Sequence, residues 1–348
     1  MKKFMSVIMI CLLLSATAGM VFAGNASKTG TAGGLELLLP VGARGVALGG
    51  AATSLIGGVE GIFYNPAGLS RDWEGSSVDA LFSHSEWIAT TSLDYAAVGV
   101  NLGDFGAMGF SLRSFSFGDI PETTEDLPDG TGSTFKPSYV TIGLTYAKSL
   151  TDRIHFGFTG KFISEKIMRT SATGFALDAG VIYYVGGTGS LRGLHFGVAL
   201  KNIGPNMQYS GEDLQRYVIP PGSAPGAVEQ PLTYTAQSFE LPSSFELGVG
   251  YDYAFAQSHR FTALLKFNNM NFGNDQYQIG GEYAFKEMFF LRGGFNKIDG
   301  TQDNFVFGGT FGAGFAYNTG TFTVAVDYAY MVTQVFDGVN VLSVRLKL

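Results

Sequence analysis

Residues 321–330 read TFTVAVDYAY. Alternate positions hold Phe322, Val324, Val326, Tyr328 and Tyr330; the positions between them hold Thr321, Thr323, Ala325, Asp327 and Ala329. Successive side chains of a β-strand point to opposite faces, so this stretch has one apolar face and one polar face carrying a charge. The segment just before it, NFVFGGTFGAGFAY at 304–317, repeats the division. Phe305, Phe307, Phe311, Phe315 and Tyr317 oppose Asn304, Gly308, Thr310, Gly312 and Gly314. Residues 154–165 set Ile154, Phe156, Phe158 and Phe162 against His155, Thr159, Lys161 and Glu165. In 245–255, Phe245, Leu247, Val249, Tyr251 and Tyr253 face away from Glu246, Gly248, Gly250 and Asp252.

A soluble antiparallel sandwich also alternates. Two details point instead to a transmembrane barrel. The polar face carries charges in the middle of strands, and the apolar face carries Tyr and Phe near strand ends, as aromatic girdles do. Composition agrees. The chain has 49 glycines and 30 phenylalanines with only 15% charged residues, too few for an ordinary soluble surface of this length. After residue 23 no run of eighteen apolar residues occurs, so helices do not supply the membrane span. The fold class read here is all-β: an antiparallel transmembrane β-barrel of about fourteen strands.

Export is written into the first residues. Lys2 and Lys3 precede an apolar stretch from Val7 to Leu14, and Val21-Phe22-Ala23 ends on a small residue. This pattern predicts a signal peptide over 1–23, with the outer membrane of a bacterium as destination. Cys11, the single cysteine, lies within the leader, so no disulfide or thiol chemistry is expected of the mature chain. Four histidines without cysteine partners form no zinc pattern, and nothing suggests another metal or a cofactor. A net charge of −7 with scattered acids and no basic block argues against nucleic acid as a partner.

Strands are expected at 77–84, 91–101, 106–116, 138–148, 154–166, 174–185, 193–203, 243–254, 259–268, 276–285, 288–296, 304–316, 321–330 and 339–348. With both termini periplasmic, the connections near 102–105, 149–153, 186–192, 255–258, 286–287 and 317–320 are short turns. The long connections 117–137 and 204–242 both fall on the other, extracellular side, the asymmetry of outer-membrane barrels. The second holds Pro205, Pro220, Pro221, Pro225 and Pro231 and is too long for a passive link. The chain ends VLSVRLKL, with Leu342, Val344, Leu346 and Leu348 on the outer face. It lacks the terminal aromatic residue of many such barrels.

Residues 24–75 form a separate unit before the barrel of 76–348. Their apolar, glycine-rich centre does not alternate, and Asn65-Pro66 breaks it, because proline donates no amide hydrogen and restricts the residue before it. This predicts a hatch tucked into the barrel mouth. Asn65 caps the turn, Pro66 fixes it, and Gly68 frees the backbone where the first strand begins.

The succession Pro40-Val41-Gly42-Ala43-Arg44, Leu48-Gly49-Gly50-Ala51 and Asn65-Pro66-Ala67-Gly68-Leu69 resembles the N-terminal signature of the PorV/PorQ family. Ile56-Gly57-Gly58-Val59-Glu60 departs from the acidic pair often found before the NPAG segment. Those proteins resemble the FadL family of fourteen-stranded outer-membrane barrels with an N-terminal hatch. The resemblance implies a structural hatch motif made of Gly42, Arg44, Gly49, Gly50, Asn65, Pro66, Ala67 and Gly68. It also implies an outer-membrane component of the type IX secretion system, with secretion subunits or exported cargo proteins as partners. The alternative is a FadL-like channel, with a hydrophobic small molecule as ligand. Either reading has outer-membrane lipid around it.

No catalytic residues emerge. GGTFGAG at 308–314 looks like a phosphate-binding run but lies in a strand whose other face is phenylalanine. His84-Ser85-Glu86 sits on extended chain, where neighbours point opposite ways and make no triad. The ionisable residues expected inside the barrel are Arg113, Lys161, Glu165, Asp178, Lys201, Glu246, Asp252, Arg260, Lys266, Glu282, Arg292, Asp327 and Arg345. Their mixed signs suggest ion pairs that tie hatch to wall, or a charged path for substrate.

Overall fold

A computed structural model describes residues 28, 30–73, 75–185, 193–224, 226–299 and 307–348. The signal peptide, the turn expected at 186–192 and the start of the strand expected from 304 lie outside these residues. Fourteen strands make the barrel: β1 Val78–Glu86, β2 Ser92–Asn101, β3 Ala107–Ser116, β4 Ser138–Thr151, β5 Ile154–Ile167, β6 Thr170–Tyr184 and β7 Leu194–Ile203. The second half comprises β8 Ser244–Ala256, β9 His259–Met270, β10 Gln276–Phe285, β11 Phe289–Ile298, β12 Phe307–Asn318, β13 Thr323–Thr333 and β14 Val339–Lys347. Each pairs antiparallel with its neighbours in sequence, and β1 pairs with β14 from Asp79↔Lys347 to Glu86↔Asn340, which closes the sheet. Closure leaves no free edge, the condition for a sheet to lie in hydrocarbon.

Period-two alternation sorts the residues as the sequence implies. Phe82, Phe110, Leu144, Phe158, Phe175, Phe261, Ile279, Leu291, Phe311, Tyr328 and Leu342 are exposed on the outside. Thr145, Thr159, Asp178, Glu246, Thr262, Glu282, Arg292 and Ser343 are buried inside. An exposed apolar band around a polar interior suits a bilayer as solvent and would aggregate in water.

The two ends differ. At one end lie the short turns, including 102–106, 257–258 and 286–288. At the other, 117–137 carries the small ladder Ile120–Pro121 with Thr134–Phe135, and the connection after β7 carries the hairpin Gln215–Val218 with Gln230–Thr233.

One departure from regular pairing occurs in β7. Lys201 and Asn202 are both buried although adjacent, and Asn202 takes φ +57°. The β6–β7 register shifts at this point, between Leu177 and Ala179. This is a β-bulge, which adds one residue and lets two consecutive side chains face inward.

Candidate functional site

The chain before β1 runs the height of the barrel interior. It begins at the long-loop end, where Lys28 pairs with Glu240 at 3.2 Å and Gly33 N donates to Glu240 O. It leaves at the short-turn end, where Lys347 Nζ donates to Asp72 O at 2.7 Å. Between these points it forms only short elements, α1 (Ala43–Ala47) and α2 (Gly61–Tyr64) with single 3₁₀ turns. Helices this short have little stability of their own, so packing against the wall holds them. Val41, Val59, Ile62 and Leu69 form one apolar cluster with Leu81, Leu93, Tyr95 and Ala97 of β1 and β2. Ala43, Val46 and Ala47 form another with Ala329, Met331, Val339 and Val341 of β13 and β14.

The residues of the N-terminal motif divide between two opposing parts of the wall. Gly42, at φ +77°, starts α1 over the Glu60 side chain, and Ala43 N donates to Ser343 Oγ at 2.7 Å. Arg44 donates twice to Glu282, from Nε and Nη2, each at 2.9 Å. Gly49, at φ +65°, lies against the backbone of Gly294 and Phe295, and the Gly50 carbonyl accepts from Lys266 Nζ at 3.2 Å.

The Asn-Pro turn docks on β5, β6 and β7. Asn65 is fully buried, and its Oδ1 accepts from Ala67 N at 3.1 Å, the N-cap of the turn Pro66–Ser70. Its Nδ2 donates to Thr53 O at 3.0 Å and reaches Val181 O and Val198 O, both at 3.2 Å. Wall glycines make this approach possible. A Cβ on Gly180 would collide with Asn65 Oδ1, and one on Gly157 with the backbone of Pro66 and Ala67. Gly197 and Gly248 give the same clearance to Thr53 and Ser54, while Gly68 packs on Ile56 O. The sequence shows the turn but not this shelf, whose glycines lie 92 to 183 residues further along the chain.

The ionisable residues expected inside lie on inward faces, and several of them are bonded to the segment directly or through one partner. Glu282 accepts from Arg44, from Arg292 Nε at 2.7 Å and from Arg260 Nη2 at 3.2 Å; Arg292 continues to Asp327. Glu246 takes Lys266 at 3.0 Å, Lys201 at 3.6 Å and Thr53 Oγ1 at 2.7 Å. Arg345 pairs with Asp79 at 2.6 Å and donates to Gly57 O. Lys161 pairs with Asp178 at 2.6 Å, and Asp178 Oδ1 accepts from Asn202 N at the bulge.

Several cavities lie around the segment, three of them of about 280 Å³ or more. The outer one, about 550 Å³, opens at the long-loop end and is lined by residues 31–36, Leu39, Trp87, Phe115, Phe117, Tyr139, Glu165, Tyr209 and Phe239. The middle one, about 280 Å³, lies between residues 37–50 and the walls of β7–β13; its segment side is apolar, and its wall side carries amides such as Asn268, Gln278 and Asn296 with the charged Lys201, Glu246 and Lys266. Leu39 and Trp87 line both. The third, about 300 Å³ at the short-turn end, is charged, lined by Arg44, Glu60, Asp72, Arg292, Asp327, Arg345 and Lys347 among others.

Two carboxyls mark the outer cavity. Glu36 is 7% exposed and Glu165 2%, and Oε1 of each has no hydrogen-bond partner. Tyr209 OH donates to the other oxygen of Glu165. Burial, reinforced by the Glu165 carboxylate, pushes the Glu36 carboxyl up to about 7. Glu36 stands out in the sequence as the one acid of LELLLP, whereas nothing there joins it to Trp87, Tyr209 or Phe239.

No family model matches the chain, and no curated protein matches its sequence. Solved structures do match. The toluene transporter TodX of Pseudomonas putida is 12% identical over 87% of this chain and 96% of its own, with a TM-score of 0.53. The monoaromatic hydrocarbon channel CymD is 12% identical over 89% and 97%, with a TM-score of 0.52. A FadL homologue of Pseudomonas aeruginosa is 11% identical over 89% and 98%, with a TM-score of 0.48. The chain shares the fold of TodX and CymD, and the fourteen-stranded barrel expected from the sequence is observed.

Proposed function

We propose that this protein is an outer-membrane channel that admits hydrophobic small molecules from the long-loop side. The observation that carries this reading is the aromatic outer cavity of about 550 Å³, which shares Leu39 and Trp87 with the middle cavity. A site of that size with apolar walls and a few polar groups suits a small ligand. TodX and CymD, which share the fold at 12% identity, are described as a toluene transporter and a monoaromatic hydrocarbon channel, in keeping with an aromatic entry site here. In this scheme a molecule enters between the loops, desorbs past Leu39 into the middle cavity, and waits there. The Arg44–Glu282–Arg292 cluster stands between that cavity and the charged short-turn end. An apolar molecule gains nothing by entering a charged, hydrated space, so passage requires a shift of the segment or a sideways exit. The chemistry is transport and no bond is broken.

A second reading has its own observation. The hairpin 215–218 with 230–233 exposes Tyr217, Ile219, Val228, Leu232 and Tyr234 at the long-loop end, a surface that a protein could cover. Together with the PorV/PorQ-like motif it supports a role in escorting exported proteins through type IX secretion. Mass spectrometry of the protein purified from native outer membranes in mild detergent separates the two. A bound hydrophobic molecule without a stoichiometric protein is the expected result. Secretion subunits or cargo at near-equal amounts would overturn the channel reading.

A further inference from the structure

We propose that the outer cavity selects hydrophobic organic cations, aryl- or alkylammonium ions whose head sits between Glu36 and Glu165 and whose apolar body lies on the aromatic wall. This deepens the channel reading and rests on it.

The carboxyls carry the argument first. A buried carboxylate without a partner is costly, and two on one cavity repel each other as well. Glu36 and Glu165 each keep one oxygen unpartnered although each is more than nine-tenths buried, and both line the cavity. The nearest cation, Arg113, attracts Glu36 through its charge but gives no hydrogen bond to either carboxyl. Arg113 donates from Nη1 to Leu37 O at 3.1 Å and from Nη2 to the carbonyls of Glu36 and Leu39. Its Nε has no partner, yet Arg113 lies behind the segment and outside the cavity lining. The site therefore offers acceptors and no charged donor.

The rings supply the second part. Phe117 and Tyr139 meet edge to face at 4.8 Å on the wall side. Tyr209 and Phe239 meet at 5.7 Å on the loop side. Aromatic faces attract cations, most strongly where water is excluded. A fatty acid would bring a third carboxylate to the same place and is disfavoured. A neutral aromatic molecule would fit the rings and leave the acids unanswered.

Titration supports the same choice. The groups facing Glu36 are Glu165, Tyr209, Tyr139 and, from behind, Arg113. Because Glu36 is pushed up to about 7 in the empty site, an ammonium must displace its proton below that pH. Amine affinity then rises between about pH 6 and pH 8 and levels off above.

Isothermal titration of the full barrel in a nonionic detergent at pH 8 provides the test, with 4-phenylbutylamine, 4-phenylbutanol and 4-phenylbutyrate as probes of equal body and different head. The expected order is amine, alcohol, carboxylate, with the amine about tenfold tighter than the alcohol, or about 1.4 kcal/mol. The double variant Glu36→Gln, Glu165→Gln should bind amine and alcohol alike. If the double variant does not fold, Glu36→Gln alone should abolish the rise between pH 6 and pH 8. Equal affinity of amine and alcohol in the wild type, or a preference that survives both substitutions, would overturn the inference while leaving the channel reading intact. Failure of all three probes to bind would overturn both.

Discussion

Gly180→Val should turn a closed barrel into a conducting pore. Gly157 and Gly180 are paired across β5 and β6, and a Cβ at either would collide with the Asn65-Pro66-Ala67 backbone or side chain. Valine at 180 cannot point elsewhere, since alternation fixes it on the inward face. Asn65 then loses its place beside Val181 O and Val198 O, and its cap on Ala67 is strained. Overpacking costs about 1–3 kcal/mol, and each displaced hydrogen bond about 1 kcal/mol more. The segment has no long helix to hold it, so this loss is enough to free its last turn. In planar bilayers the variant should conduct about tenfold more than the wild type, on the same logic that a 1.4 kcal/mol shift changes a population tenfold. Gly180→Ala should show a smaller effect. An unchanged conductance in a folded Gly180→Val barrel would mean that the segment does not close the lumen.

The second large effect concerns Glu282, which is fully buried and takes three guanidiniums, from Arg44, Arg260 and Arg292. Glu282→Gln keeps the shape and removes the charge. Arg292 retains Asp327, and Arg260 retains Glu287 at 2.8 Å, but Arg44, half-buried, is left with no partner of equal quality. Breaking one side of a buried ion pair costs about 3–5 kcal/mol. With a urea slope of about 1–3 kcal/mol/M, the unfolding midpoint should fall by about 1 M or more. The loss of electrophoretic heat-modifiability, read along a urea series in lipid vesicles, gives that midpoint. Adding Arg44→Gln should recover part of the loss, since the uncompensated charge goes with it. A midpoint within about 0.3 M of wild type would show that the cluster does not hold segment to wall.

Much of the barrel is legible because a strand has a period of two and the lipid face tolerates no polar residue. TFTVAVDYAY and the stretches like it therefore locate strands, orient their faces and place charges such as Asp327 and Arg345 inside. Turn lengths then fix which end carries the loops. The bulge at Asn202 leaves one trace in the sequence, since in VALKNI the apolar parity of Val198 and Leu200 shifts to Ile203 across the consecutive polar pair Lys201-Asn202. It exists because Asn202 N finds Asp178 on the neighbouring strand. The Asn-Pro-Ala-Gly stretch can be read as a capped turn, and Asn65 caps Pro66–Ser70; Gly68, expected to free the backbone, instead lies inside that turn and packs on Ile56 O, and the first strand starts only at Val78. Its docking site cannot be read, because the glycines that receive it look like any others in a glycine-rich chain. Ion pairs pose the same problem: Arg44 and Glu282 are 238 positions apart, and only closure of the barrel makes them partners. The outer cavity draws on the N-terminal segment, four strand ends or loops and the connection after β7, so no local pattern announces it.

The central claim is that hydrophobic molecules pass from the outer to the middle cavity beside Leu39. The most direct measurement is the rate of toluene accumulation by intact cells with an undamaged outer leaflet, expressing either wild type or Leu39→Trp at equal levels. A larger ring at this position, which lines both cavities, fills the passage without touching the ion pairs or the glycine shelf. The account predicts rapid accumulation with wild type and a rate near that of cells lacking the protein with Leu39→Trp. Equal rates in all three would contradict it.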